Sequence, residues 1–310
     1  MKKTALILAL SLAAGSVVLA QQTVYVSAQG SEDERGLNEA KPTTFTRALA
    51  QAMMGTAQKI IITGALDINS NGMNRRVGVV FDFFDSVGEE KRRKALGEIV
   101  ITGKPGAEGS ERAVLSAKGS GNAAVWVRNC KVRFEHIDIS DAEGRYGYGL
   151  YIPQYAQVTL GPGAVVRNNV SSGIYVADGG TCVIDGGEVR NNNTGVYVEG
   201  SASFLSGSIK DNISSYGGGG VRITRGGQFI MSGGTIAGNR TDTSDYFSGG
   251  GVYIENGGYF ALSGGSITGN RSHGAGGGVF AESGGVFDQN GGTINRNIGQ
   301  GAASNIYREK

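Results

Sequence analysis

The chain has 310 residues, with 29 Lys plus Arg against 27 Asp plus Glu, 54 Gly, 4 Pro and 2 Cys. Removing Lys2 and Lys3 of the leader from the 29 leaves 27 basic against 27 acidic residues, a near-neutral balance that excludes nucleic acid or an anionic membrane as the main partner. Two cysteines exclude a disulfide-rich scaffold, and the glycines recur at fixed offsets between apolar runs, as turn punctuation rather than as disorder.

Residues 1–20 have the pattern of a secretory signal: Lys2 and Lys3, an apolar run over 5–19, and Val18-Leu19-Ala20 as a small-residue cleavage site. The run is too short for a spanning helix. The expectation is therefore a secreted, periplasmic or outer-surface protein, cleaved after Ala20, with no transmembrane segment afterwards. Residues 21–58 read as a cap. TVYVSA (23–28) is a strand, QGSEDERGLNEAKPTT (29–44) a polar loop, and FTRALAQAMM (45–54) an amphipathic helix with Thr44 or Thr43 as N-cap. The main body is 59–310. KIIITGAL (59–66) reads as its first buried strand, VGVVFDFF (77–84) as another, and GEEKRRKALGE (88–98) as a charged helical insertion whose Lys91-Arg92-Arg93-Lys94 run is a solvated face. In KVRFEHIDIS (131–140), Val132, Phe134, Ile137 and Ile139 point inward and His136 sits in a turn, not in a ligand set.

From residue 125 onward a repeat can be phased. The first inward residue of each unit is Val125, Leu150, Ile174, Val196, Val221, Val252, Val279 and Ile306, at spacings of 25, 24, 22, 25, 31, 27 and 27. Units of this length, each unable to bury its apolar side alone, mean stacked coils. The fold class that follows is all-β: a right-handed, single-stranded parallel β-helix of about ten coils with a short N-terminal helical cap. Three columns come out of the phase. Eight residues after each start stand Val158, Cys182, Phe204, Phe229, Phe260 and Phe287, expected in the interior. Eighteen residues after most starts stands Asn168, Asn192, Asn239, Asn270 or Asn297, with Asn212 two residues early, which implies a two-residue deletion in that coil. These read as an asparagine ladder in left-handed turns. Cys130 and Cys182 fall about two coils apart, roughly 9.6 Å on the strand spacing and beyond disulfide reach, so both are expected as buried free thiols.

The third column stands one residue after each start: Trp126, Tyr151, Tyr175, Tyr197, Arg222, Tyr253, Phe280 and Tyr307. Strand alternation turns it outward, beside loops of varying length that include 240–251 and 271–278. Two readings stand. The rings contact a polysaccharide through their flat faces, or a surface or host protein, with Arg222 pairing a uronate or sulfate; or they stiffen the sheet by cross-strand stacking, or lie under the longer loops. Two places along come Glu199, Thr224, Glu255 and Glu282. Glu255 and Glu282, on adjacent coils, have the spacing of a retaining glycosidase pair, or are two solvated glutamates. No cofactor is required, although Asp242, Asp245 and His273 in the flanking loops could form a Ca²⁺ cage.

The order YVS, Lys41-Pro42, Phe45 and ALA (48–50), with its Pro42-to-Phe45 turn into the helix, resembles the N-terminal cap of secreted pectate-lyase-like β-helix proteins. EIVITGKPGA (98–107) and KVRFEHIDIS (131–140) resemble early coils of that superfamily, and an asparagine ladder is a structural device known in it. The GGGV and GN units are similar to repeats of bacterial surface β-helix proteins and autotransporter passengers. The aromatic column beside the variable loops leads to an exported, adhesin-like binding protein as the reading of function. A polysaccharide lyase or glycoside hydrolase is the alternative and a structural spacer the third reading. The Asp cluster of pectate-lyase-like enzymes and the paired aspartates of polygalacturonase-like ones do not stand at any phased position.

Overall fold

The computed structural model describes residues 22–68, 97–118, 123–242, 249–299 and 305–309, and the backbone alone of 77–82. The leader, the stretch 83–96 holding the expected charged insertion, and Asp245 lie outside the described residues.

Alternation of apolar and polar residues makes short strands, and each strand pairs in parallel with its counterpart one coil away. The chain thereby winds a three-sided prism. Face one is a nine-stranded sheet running in strict sequence order from Val77–Asp82 to Ile306–Arg308. Face two begins with Thr23–Ser31, Lys59–Thr63 and Glu98–Thr102 and ends at Val286–Gln289; face three runs from Ala65–Asp67 to Thr293–Asn295. Thr181–Arg190 and Ser201–Lys210 run unbroken from face two into face three, with a bulge at the corner. The strand assigned to the cap is itself hydrogen-bonded as the first rung of face two. The predicted starts pair throughout: Val125 with Leu150, Leu150 with Ile174, Ile174 with Val196, then Val221, Val252, Val279 and Ile306 in turn.

The helix Phe45–Met53 covers the N-terminal end. Thr44 is the N-cap, its hydroxyl accepting from the Arg47 amide at 3.2 Å, and Phe45, Ala48, Leu49 and Ala52 are buried. In the early coils Val132, Phe134, Ile137 and Ile139 are fully buried, and His136 holds a turn at φ 50°. Cys130 and Cys182 are buried thiols that are not joined in a disulfide.

The interior columns needed one correction. Phe204 pairs with Met231 and Ile184, not with Phe229; the residue level with Cys182 and Phe229 is Ala202. The cause lies in the turn from face one to face two. It runs from Val176 to Thr181 and from Ile223 to Gln228 in neighbouring coils, but only from Val198 to Ser201 in the coil between them. These two missing residues shift Phe204 by one inward position and also bring Asn212 into the ladder early. Phe204 still meets Phe229 diagonally at 6.4 Å, and Phe229, Phe260 and Phe287 stack at 5.7 and 5.0 Å. Each such buried ring contributes roughly 1.5–3 kcal/mol.

The asparagine ladder is Asn169, Asn192, Asn212, Asn239, Asn270 and Asn297, ending on Asn305. Each side-chain carbonyl accepts from both the backbone N–H and the Nδ2 of the preceding asparagine, at 2.9–3.2 Å. Its Nδ2 also donates to a strand carbonyl of the coil before, for example Asn239 to Ile209 at 2.9 Å. Asn168 is not a member. It belongs to the column one residue earlier, with Asn191, Asp211, Gly238, Gly269 and Arg296, all at φ between 54° and 65°. The left-handed turn and the ladder amide are thus adjacent residues, the pair that recurs as GN. The ladder also explains a glycine column. A Cβ on Gly173 would stand 2.6 Å from Asn192 Nδ2, and one on Gly220 would stand 3.0 Å from Asn239 Nδ2 and 2.6 Å from the Gly251 carbonyl. Only glycine lets the chain pass so close to the amide.

Asn239→Ala orphans a buried amide and two carbonyl partners, so it should lower stability by about 1–3 kcal/mol, and Gly220→Ala by about the same through overpacking. In urea denaturation the double variant should lose less than the two single losses combined, because removing the Asn239 side chain relieves part of the Gly220→Ala clash. Strict additivity would show that the glycine is not shaped by the ladder.

Candidate functional site

Face one carries the outward column in the predicted order and register: Trp126 beside Tyr151, then Tyr175, Tyr197, Arg222, Tyr253, Phe280 and Tyr307. Its exposure differs from the expectation. Tyr253 is 5% and Phe280 1% exposed, and the other members are half-buried. The parallel strand step of about 4.8 Å sets ring against ring. Tyr151 and Tyr175 lie 5.3 Å apart, and Tyr175 and Tyr197 lie 4.9 Å apart with planes only 5° from parallel. The Arg222 guanidinium continues the pile, 5.7 Å from the Tyr197 ring and 5.6 Å from that of Tyr253. Phe280 then stands 5.5 Å from Tyr253 and 5.0 Å from Tyr307. Along this stretch the flat faces are spent on neighbouring rings, and edges and hydroxyls turn outward. An open row of sugar platforms is therefore not what the strand spacing builds.

The column opens at its N-terminal end. Trp126 meets Tyr151 edge-on at 5.0 Å, 89° between planes. Tyr148 lies 5.9 Å from Tyr151 and 4.7 Å from Tyr175, and the exposed Tyr146 stands 6.3 Å from Tyr148. With Ala123 these residues line a cavity of about 240 Å³. The indole Nε1 of Trp126 is buried and has no hydrogen-bond partner among the described residues. Guanidinium groups stand over the rim: Arg128 over Trp126 at 5.5 Å, Arg145 over Tyr146 at 5.6 Å. Tyr146 and Tyr148 were missed by the phase argument because they precede the coil start. The available signal was RYGYGLY (145–151), three tyrosines spaced by glycines.

Beside Tyr197 lies a second depression of about 660 Å³, bounded by Asp178, Glu199, Thr224, Arg225, Gly226 and Glu255. The short turn from Val198 to Ser201 causes it. Its longer neighbours, Ala177–Gly180 and Thr224–Gly227, stand proud on either side. Tyr175 and Tyr197, stacked on each other, join this trough to the aromatic cavity.

The carboxylates predicted for acid–base work are each engaged. Glu255 takes two bonds from Arg222, 2.7 Å from Nε and 2.6 Å from an Nη. This occupies the arginine expected to bind a uronate or sulfate. Glu282 accepts from the Tyr253 hydroxyl and, at 2.8 Å, from the Asn256 amide. The Glu199 carboxylate lies beside the Tyr175 phenol and helps to hold it protonated. Of the loop residues considered for Ca²⁺, Asp242 pairs with Arg240 at 3.3 Å and His273 is exposed. Nor are the loops freely variable: the glycine runs stack, Gly220 and Gly250 donating to Gly250 and Gly276 at 3.2 Å each, and Gly251 to Gly277 at 3.0 Å.

Residues 162–305 match a family model described as a right handed beta helix region. This part of the chain is a right-handed parallel β-helix. Among the described residues the parallel pairing runs back to Thr23–Ser31 on face two, to Val77–Asp82 on face one and to Ala65–Asp67 on face three, so the β-helix extends beyond the matched stretch. No curated protein and no solved structure is significantly similar to the chain. Among the described residues no helix is long and apolar enough to cross a membrane.

Burial is the main cause that holds the phenols of this β-helix protonated. It raises Tyr151, Tyr175, Tyr197 and Tyr253 above the ordinary 10.0 and pushes Tyr148 up to about 12; the carboxylates of Glu199 and Glu282 add to the rise at Tyr175 and Tyr253. A folded value above the unfolded one means the contribution to stability is full below pH 10 and is lost as pH rises through about 12. Phenolate absorbance in an alkaline titration should therefore rise first from the exposed tyrosines, and the column should ionise only together with unfolding. Early ionisation of all tyrosines would contradict the stacked geometry.

Proposed function

We propose that the chain is an exported β-helix protein that binds polysaccharide at the open, N-terminal end of face one. The observation that carries this reading is the aromatic cavity walled by Trp126, Tyr146, Tyr148, Tyr151 and Tyr175. Tyr146 presents an exposed ring for a sugar face. Glu199 and Asp178 in the adjoining trough supply acceptors for sugar hydroxyls. Together these are the ingredients of a polar-ligand site: apolar plates with a few placed hydrogen-bonding groups.

Binding is favoured over cleavage because Glu255 and Glu282 are both committed to protein donors, where a glycosidase pair needs one free acid and one free nucleophile. The C-terminal half of the column supports the structural reading instead, since Tyr253 and Phe280 are buried in the pile. Residency outside the cytoplasm rests on the leader pattern and an adhesin-like role on the aromatic face; both are part of the same proposal.

A glycan array probed with the chain lacking residues 1–20 tests it. At least one oligosaccharide class should be retained, and Tyr146→Ala should weaken retention by about two- to tenfold, the worth of one ring contact of about 0.5–1.5 kcal/mol. Tyr307→Ala, at the far end, should leave it unchanged. A blank array, or equal retention by Tyr146→Ala, removes the binding reading. Release of reducing ends by the native chain, abolished in a Glu255→Gln, Glu282→Gln double variant, would put the hydrolase reading in its place.

A further inference from the structure

We propose that face one contains a site of oxidative cross-linking, at which Tyr175 and a neighbouring ladder tyrosine are joined by a carbon–carbon bond between adjacent coils. Three observations meet there. The rings are already in contact: Tyr175 lies 4.9 Å from Tyr197, nearly parallel, and 4.7 Å from Tyr148. Parallel pairing without stagger sets Tyr175 level with Tyr197, so the two rings leave their strands side by side and in the same direction. A proton acceptor is near, because the Glu199 carboxylate lies beside the Tyr175 phenol, and loss of an electron from a phenol requires loss of its proton. A route from solvent is present too. Tyr146 is 49% exposed and stands 6.3 Å from Tyr148, which stands 4.7 Å from Tyr175. An oxidising equivalent taken up at Tyr146 can pass inward by steps between touching rings and settle where the proton can leave.

The chemistry balances with a one-electron oxidant of the peroxidase–peroxide or photo-generated metal-complex class. Two phenols each give up one electron and one proton, the second phenol releasing its proton to solvent. The two radicals couple ortho to ortho. The hydrogens on the coupled carbons then migrate to the oxygens, which restores both phenols. The net change is loss of two electrons and two protons; one peroxide takes them up and becomes two waters. Tyr253 supplies an internal contrast. It donates to a carboxylate, Glu282, but its pile neighbours are Arg222 and Phe280, so it can be oxidised yet has no phenol to couple with.

The test is to treat the monomeric chain, at dilution, with peroxidase and peroxide, then to read dityrosine fluorescence and map the cross-link by peptide mass spectrometry. The expected result is an intrachain product, lighter by two hydrogens, that contains Tyr175 with Tyr197 or Tyr148. Tyr175→Phe should cut its yield at least tenfold, Glu199→Gln should slow its formation, and Tyr253→Phe should change nothing. Circular dichroism confirms that each variant is folded; Tyr175→Phe keeps the ring and only removes the hydroxyl. Cross-links found only between chains through exposed tyrosines such as Tyr216, or an undiminished intrachain yield in Tyr175→Phe, would overturn the proposal. Neither outcome depends on whether the cavity binds a sugar.

Discussion

A buried file of asparagine side chains fixes the register of every coil from Asn169 onward. Each amide satisfies two donors of its neighbour and one carbonyl of the coil before, so no coil can slip by a residue without leaving several polar groups unpaired in the interior. The coils differ in length, from 22 to 31 residues between starts, yet they remain in step because every insertion and deletion is absorbed in turns between ladder positions. Glycine one residue before each start from Leu150 to Val279 and a left-handed residue before each ladder asparagine are consequences of the same constraint.

That registry makes the surface of face one. Identical positions are set one strand step apart, and planar side chains placed at such a step fall onto one another. The tyrosines therefore stack, and where the series lacks a ring at position 222, the flat guanidinium of Arg222 fills the gap between two rings while Glu255 holds it in plane. Among the described residues, this surface is hollowed where the pile is interrupted. One interruption is the edge-on Trp126 with the extra Tyr146 and Tyr148; the other is the shortened turn at Glu199. The hollows of face one are thus made by local departures from the repeat.

The column has two chemical consequences. Burial keeps the phenols protonated above the ordinary range, so Tyr253 serves as a hydrogen-bond donor to Glu282 and Tyr175 stays neutral beside Glu199. Close contact of several phenols, one of them beside a base, also makes the pile responsive to one-electron oxidation. Both follow from strand spacing and burial, and neither needs a residue outside the repeat.

The amino-acid sequence by itself determined the coil, the starts Val125 to Ile306, the outward column and the existence of an asparagine ladder, because these are periodic and periodicity is a one-dimensional property. Counting from fixed offsets failed at Asn168 and Phe204, where the position of an insertion or deletion within a coil matters and a count cannot locate it. The sequence also predicted that Tyr253 and Phe280 point away from the tube, but pointing outward is not the same as being exposed. Whether an outward ring meets water or the next ring depends on the distance between coils and on what the loops cover. Tertiary structure alone decided that Arg222 belongs to Glu255, that Glu282 is held by Tyr253, and that Tyr146 and Tyr148 join Trp126 around a cavity. Those residues are distant or out of phase in the chain, and only the winding of the solenoid brings them within reach of one another.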